Sequence, residues 1–403
     1  MRIPLVNEMV ETAAVKRWSR VWVRRGGGRC RRHRAWQALM AVPLLAAFLL
    51  HASPASGQIE MSATRDTAKV GKLELTGYPY FFYSPETEFA LGGAMIFTMR
   101  LSPNPDVKAS NAILSGYYSV KGSYDLFFNP EFFLGDDRYY IGISADYFRF
   151  VDKFWGIGNN TPDIDSVAGY IRRLIWLNVE FDVSVVGPLK VGLNYDLNST
   201  AIEDKQSNPF LLSGSVTGSD GGLSSGFGGV LFADTRNSAF FPTLGGYYKL
   251  SFLTSLDWLG SDFSFRRWIL DLRQYVPLTP SLVVAMQLYG TAVAGDPPFY
   301  MMPALGGDNI MRGYYEGRYR DRFYLATQGE IRLRLTRRWG LVGWLGIGDV
   351  SGEVSGFRLK DGKPTFGVGI RFAIDPEEVV NVRADFGYGR DTKGIYFNAK
   401  EAF

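Results

Sequence analysis

The chain has 403 residues, with 44 lysines and arginines against 40 aspartates and glutamates, and a formal net charge of +4. Its one cysteine, Cys30, and both histidines, His33 and His51, lie within the first 57 residues, which have the features of a cleavable leader. The rest of the chain therefore excludes disulfides, Cys/His zinc sites and triads with a histidine base, so we expect no enzyme, no metal site and no cofactor.

Residues 1–57 follow the order of a secretory signal peptide. A basic segment spans 16–34, an apolar core runs from Ala38 to Leu50, and Ala55-Ser56-Gly57 supplies the small residues of a cleavage site. The alternative is a single membrane anchor, but the apolar core is shorter than the roughly 20 residues that a spanning helix needs. Ten basic and two acidic residues belong to this segment, which leaves 34 basic and 38 acidic ones. The excess of positive charge therefore does not indicate nucleic acid.

From residue 72 onward, after a short periplasmic lead-in at 58–71, apolar and polar residues alternate with the period of a β-strand. In residues 175–183 the odd positions are apolar, and the even positions include Asn178, Glu180 and Asp182. The chain also holds 22 tyrosines and 29 phenylalanines, enough for aromatic girdles at two membrane interfaces. Repeated strands of this kind indicate an all-β transmembrane antiparallel β-barrel with its apolar side toward lipid.

Turn signals divide residues 72–403 into about 16 strands, an even number that suits a closed single-chain barrel. The predicted strands lie near residues 72–83, 88–100, 110–120, 123–134, 138–151, 170–186, 188–199, 225–234, 246–257, 262–277, 281–294, 323–336, 340–350, 364–374, 379–389 and 394–403. We expect the count to slip by one strand, most plausibly within 110–134 or 225–257, because the short turns do not all fall on one side of the barrel by simple counting.

Strand parity also predicts a charged lumen. Three of the later strands place charged or polar side chains on one face and apolar ones on the other; the inward set is Arg267, Asp271, Arg273, Gln328, Glu330, Arg332, Arg334, Asn381, Arg383 and Asp385. Inward charges of both signs are typical of a hydrated interior crossed by salt bridges.

The long loop at about 295–322 carries the most specific motif, Leu305-Gly306-Gly307-Asp308-Asn309-Ile310-Met311-Arg312-Gly313-Tyr314. With this loop the chain resembles the BamA/TamA family of outer-membrane barrels, also called the bacterial surface antigen superfamily. Residues 234–245 resemble that family's inner-side turn, and residues 382–403 resemble its closing strands. The resemblance covers roughly residues 78–403.

The resemblance implies that this loop folds into the lumen, held by Gly306, Gly307, Arg312, Gly313 and Tyr314, with Arg312 against the inner wall. The family usually supplies the arginine's partner from a Phe-x-Asp-x-Gly strand. Here the corresponding strand carries Gly346 in place of that aspartate. We therefore expect Arg312 to meet Glu330 or Asp385, since a guanidinium pairs bidentately with carboxylate.

The family resemblance also concerns the two ends of the barrel. Phe397 and Phe403 resemble the C-terminal signal that outer-membrane assembly machinery reads, and we expect Phe397, Ala399 and Phe403 to face lipid, with Glu401 on the same face near the interface. Gly77 and Pro79 weaken the first strand, because proline cannot donate a ladder hydrogen bond. Either the seam between the first and last strands is weak there, at the place where barrels of this family are thought to open sideways, or Pro79 belongs to the lead-in.

The expected function is outer-membrane assembly, or transport of protein or lipid, in a Gram-negative bacterium. Residues 58–71 leave no room for the POTRA modules that handle clients in relatives, so insertase activity is not implied. The expected partners are outer-membrane lipid, the assembly machinery and a protein or lipid client, with no nucleic acid. The alternative is a porin-like solute channel, in which the charged lumen sets selectivity.

Overall fold

The computed structural model describes residues 70–403 except 105–106, 167, 206, 239–240, 376–379 and 400. The predicted leader and almost all of the predicted lead-in lie outside the described residues. Within the described part, no helix combines the length and the apolar character needed to cross a bilayer.

Sixteen antiparallel strands close into one barrel, and a two-stranded ribbon belongs to the long loop at 296–322. The barrel strands are β1 (Leu73–Ser84), β2 (Glu88–Met99), β3 (Ser110–Ser119), β4 (Tyr124–Leu134), β5 (Tyr139–Lys153), β6 (Gly169–Val186), β7 (Leu189–Glu203), β8 (Gly221–Asp234), β9 (Gly245–Ser255), β10 (Phe265–Thr279), β11 (Leu282–Gly295), β14 (Phe323–Arg334), β15 (Trp339–Ser351), β16 (Lys363–Asp375), β17 (Val380–Gly389) and β18 (Thr392–Ala399). The ribbon is β12 (Ala304–Leu305) with β13 (Tyr319–Arg320), and the helical pieces are α1 (Pro209–Leu212) and 3-10 turns at Asp257–Leu259, Phe299–Met301 and Val354–Gly356. The predicted fold class is confirmed.

Alternation along each strand separates an outer apolar face from an inner polar one. On β14, Ile331 is 57 % exposed while Glu330 and Arg332 are buried. The same parity turns Asp271 and Arg273 inward on β10, where the Arg273 guanidinium lies 2.5 Å from the Asp271 carboxylate. Closure of the sheet lets backbone groups pair between strands, which is the condition for spanning hydrocarbon without a helix. The side chain of Asn381 lies outside the described part.

The connections sort onto two rims. The long ones at 154–168, 204–220 and 296–322 each follow an odd number of barrel strands and form the long-loop rim. The short turns at 135–138, 187–188, 280–281 and 335–338 each follow an even number and form the short-turn rim. The expected slip of one strand is therefore wrong. Every barrel strand pairs antiparallel with its chain neighbour, so strand number alone decides the side.

Apolar side chains close the long-loop rim in what we call the cap cluster: Phe154, Tyr170, Ile202, Leu211, Phe263, Phe265, Phe299, Tyr300 and Met301. Asn208 joins two of its loops. The Asn208 amide donates to the carbonyl oxygens of Phe154 and Ala168 at 2.9 and 2.8 Å, and its side-chain oxygen accepts from the first turn of α1. A buried asparagine with donors and acceptors all used fixes the loops rigidly.

Candidate functional site

The loop at 296–322 turns back from the long-loop rim into the lumen. Its neck is the β12–β13 ribbon, in which Leu305 pairs with Tyr319. At the tip, Gly313 has φ +109°, and an added Cβ would lie 2.6 Å from the carbonyl carbon of Tyr388 and 2.8 Å from the nitrogen of Gly389. Glycine is needed there because the tip rests directly on the backbone of β17.

Arg312 sits at the tip and is fully buried against the wall. Its Nη1 lies 2.6 Å from Asp385 Oδ2 on β17, and its Nη2 donates to Glu330 Oε1 on β14. The guanidinium also lies over Trp344 of β15, 3.8 Å from the ring centroid. Arg312 thus contacts both carboxylates that strand parity offered, and the indole adds a cation–π contact.

The glycine at position 346, where the family usually has an aspartate, has a steric reason. A Cβ at this position would lie 2.8 Å from the carbonyl oxygen of Thr327 and 3.0 Å from the Cβ of Gln328. An aspartate at position 346 would therefore collide with β14. Trp344, two residues earlier on the same inward face, occupies the space beside the Arg312 guanidinium.

Arg312 belongs to a larger network of buried charges. Glu330 also accepts from Arg332 at 2.8 Å, and Asp385 also accepts from Arg371 at 2.5 Å and from Arg383 at 3.2 Å. The four arginines and four carboxylates of this network are Arg312, Arg332, Arg371, Arg383, Asp308, Glu330, Asp385 and Glu401. Because each buried charge has a partner of opposite sign, Coulombic attraction offsets part of the desolvation cost of burying the network.

The remaining motif residues hold the tip to the last strands. The Gly313 nitrogen donates to the Tyr396 hydroxyl on β18 at 2.9 Å. The Tyr314 hydroxyl donates to the carbonyl oxygen of Pro364 at 2.8 Å and accepts from the Arg390 nitrogen at 2.6 Å. Gly306 and Gly307 lie at the neck with positive φ, where the Gly307 nitrogen donates to the carbonyl oxygen of Tyr314 at 3.1 Å.

A contact outside the motif joins the same loop to the first hairpin. The Glu316 nitrogen donates to Glu86 Oε1 at 2.9 Å, and Glu86 is only 5 % exposed in the turn between β1 and β2. The Glu316 side chain opens into the lumen but is enclosed by the wall. Burial, followed by the charge of Glu86, raises its pKa to about 7. Nothing in the turn sequence around Glu86 distinguishes it from other loop acids, so sequence reasoning had no signal for it.

The seam between β1 and β18 is short. Among the described residues the two strands meet at one register pair, Tyr83 with Phe397, whereas β1 and β2 pair along their whole length. Pro79 lies inside β1 opposite Gly93 of β2, so the alternative that it belongs to a lead-in is wrong. The loop bridges this seam, because it contacts Glu86 on one side and Tyr396 on the other.

A family model described as the Omp85 superfamily domain matches residues 112–403, most of the chain. The chain belongs to the Omp85 superfamily. The barrel is similar to BamA from Haemophilus ducreyi lacking POTRA domains 1–3, with 11 % identity, 81 % of this chain and 70 % of that chain covered, and a TM-score of 0.57. It is also similar to CdiB from Acinetobacter baumannii (13 % identity, 82 % and 60 % covered) and CdiB from Escherichia coli (14 %, 82 % and 63 %), both with a TM-score of 0.53.

At these identities the likeness shows a shared fold, and the chain spans less than two thirds of either CdiB chain. Among curated proteins, none matches the sequence.

The end of this Omp85 barrel departs from expectation. Strand β18 stops at Ala399, and the tail turns into the lumen, where Phe403 is 4 % exposed, its ring 6.4 Å from that of Tyr275. Arg332 donates to the main-chain oxygen of Phe403 at 2.8 Å, and Glu401 accepts from Arg371 at 2.7 Å. The prediction that Phe403 and Glu401 face lipid is therefore wrong.

The tail turns inward because the lumen arginines offer Glu401 a partner that hydrocarbon cannot. Phe397 does point outward and is 40 % exposed. The Ala399 side chain lies outside the described part. Within the described residues of the Omp85 barrel, no cluster of acids, histidines or cysteines has the arrangement of a metal site.

Proposed function

We propose that this protein resides in the outer membrane of a Gram-negative bacterium and acts there, without enzymatic chemistry, in assembly or in transport of protein or lipid. The short β1–β18 seam carries the proposal. Within the described residues, one register pair joins its facing edges, so the rest of β1 and β18 lies outside the ladder between them there. Such edges can pair with an incoming strand, and opening them sideways disrupts few hydrogen bonds.

The inward loop supports the same role. It is anchored to β14 and β17 through Arg312, while its other contacts reach the first hairpin at Glu86 and the last strand at Tyr396. A loop that holds both sides of the seam controls whether the seam opens. In this role its partners are outer-membrane lipid, the outer-membrane assembly machinery, which would recognise the C-terminal strand, and a protein or lipid client.

A cross-seam disulfide tests the proposal. Tyr83→Cys with Phe397→Cys joins residues that face each other across the seam, within the reach of a disulfide. The matched control, Phe81→Cys with Leu91→Cys, joins an outward pair of the first hairpin. Deletion of the protein should deplete an outer-membrane protein or lipid. The oxidised seam pair should fail to restore it until reduced, whereas the control should restore it. Restoration by the oxidised seam pair would contradict the proposal.

A solute channel is the second candidate, favoured by a charged lumen cavity of about 430 Å³. Planar-bilayer conductance separates the two. A large, steady, ion-selective current supports the channel, and a small flickering current or none supports assembly or transport of larger clients.

A further inference from the structure

The lumen cavity of about 430 Å³ lies between two groups of strands and beneath the inward loop. Strands β3, β4, β5 and β6 line one side, strands β10, β11 and β14 line the other, and residues 300–304, 316 and 320 contribute from the loop. Its volume falls within the range of small-molecule sites. Tyr300 and Met301 belong both to the cavity lining and to the cap cluster.

Four charged side chains of this lining have no ion pair within the described residues, unlike the charges around Arg312. Arg172 and Arg267 form no ion pair with any carboxylate in the described part of the chain, and Asp125 and Asp146 form none with any cation there. All four side chains are half-buried. Half-buried charges left unpaired on both sides of one cavity are costly unless something polar occupies it.

Individual polar atoms at the cavity also have no partner. The Tyr324 hydroxyl, in a residue 4 % exposed, accepts and donates no hydrogen bond within the described chain. Asp146 Oδ1 and the Nε atoms of Arg172 and Arg320 are likewise buried without a partner there. Buried polar groups are nearly always hydrogen-bonded, so a cluster of exceptions around one cavity indicates a polar occupant.

The cavity also has apolar surface. The Arg172 guanidinium lies 4.8 Å from the ring centroid of Phe148, and Phe150 of β5 and Met301 and Pro303 of the loop also line the cavity. The Phe148 ring packs against the Arg172 guanidinium, whose Nε atom has no hydrogen-bond partner within the described chain, and a planar carboxylate is a suitable acceptor for such a donor.

We propose that this cavity binds a small zwitterion, whose carboxylate is held by Arg172 and Arg267 and whose ammonium group is held by Asp125 and Asp146. Of the other charged side chains in the lining, Asp152 accepts from the Tyr170 hydroxyl at 2.8 Å, Arg320 donates to the carbonyl oxygen of Phe299 at 2.9 Å, and Glu316 adds one further acid. A singly charged ligand would contact either the two arginines or the two aspartates, whereas a zwitterion contacts both. The Tyr324 hydroxyl supplies a further hydrogen bond. The site does not depend on the proposed transport role, because binding is measured without a membrane or a client.

Calorimetry on the full-length protein in detergent tests the site with glycylglycine as the probe. N-acetylglycylglycine carries only the negative charge, and glycylglycinamide carries only the positive charge. We expect glycylglycine to bind about tenfold or more tightly than either, as expected for one additional charge-assisted contact. Equal affinity of the three compounds, or no binding of glycylglycine, would overturn the proposal. This comparison needs no variant.

Two variants then assign the charges. Arg267→Gln should weaken glycylglycine binding about tenfold and remove the advantage over glycylglycinamide, whereas Asp125→Asn should remove the advantage over N-acetylglycylglycine. The matched controls are Lys205→Gln and Asp220→Asn, which alter an ion pair of the long-loop rim by the same charges. Controls that weaken binding as much as the cavity variants would count against a localised site.

Discussion

Replacing Arg312 with methionine should release the inward loop from the wall. The substitution keeps much of the side-chain volume over Trp344 but removes the charge that Glu330 and Asp385 share. Removing one partner from a buried ion pair costs about 3–5 kcal/mol. Glu330 keeps Arg332, and Asp385 keeps Arg371 and Arg383, so the lower end of this range applies.

A loss of about 3 kcal/mol raises the open population of the loop about 100-fold. Hydrogen–deuterium exchange of the backbone amides in residues 303–321 should therefore accelerate by that factor, while exchange in β5 and β6 stays unchanged. The exchange rate of Arg312→Lys should lie between those of the parent and Arg312→Met. One ammonium group keeps the charge but cannot reproduce the fork of the guanidinium, which reaches both carboxylates.

Arg334→Met is the matched control. Arg334 lies at the short-turn rim, is exposed, and donates to the carbonyl oxygen of Pro280. Its loss should change stability by less than about 0.5 kcal/mol. If exchange in the loop of Arg312→Met matches that of Arg334→Met, the ion pairs do not anchor the loop and the reasoning is refuted.

Three further changes follow from contacts of the same loop and tail. Gly313→Ala should destabilise loop docking by about 1–3 kcal/mol, because φ +109° strains alanine and the added Cβ meets the backbone of β17. Backbone exchange in 303–321 should become faster, and an unchanged exchange rate would contradict this expectation. Raising the pH through about 7 should loosen the loop, because burial and the charges of Glu86, Asp152 and Asp308 raise the pKa of Glu316, only partly offset by Arg320.

The sign follows from that raised pKa: stability is fully present below about pH 4 and is lost as Glu316 ionises. Exchange in 303–321, divided by the intrinsic amide exchange rate at each pH, should therefore rise between pH 5 and 8, and Glu316→Gln should remove this rise. Phe403→Ala should cost about 3 kcal/mol through lost packing on Tyr275 and Arg332, and a barrel melting temperature equal to that of the parent would show that the tail does not pack inside.

Strand number, the inward and outward faces and the Arg312 loop could be predicted from the sequence. Alternation is local: each residue faces lipid or lumen according to its neighbours two positions away, so the strand around Glu330 could be oriented by itself. The same parity placed Asp385 on the inner face. The glycines and arginine of residues 305–314 are contiguous, so the motif needs no knowledge of the fold.

Only the closed barrel determines which distant segments of the chain contact each other. Glu86 meets Glu316 from opposite parts of the chain, and that contact exists because β1 and β18 become neighbours when the sheet closes. The inward turn of Phe403 depends on Arg332 and Arg371 lying next to the tail. Which lumen charges pair, as around Arg312, and which stay unpaired, as at Arg267, is a property of three-dimensional distance that alternation along one strand does not contain.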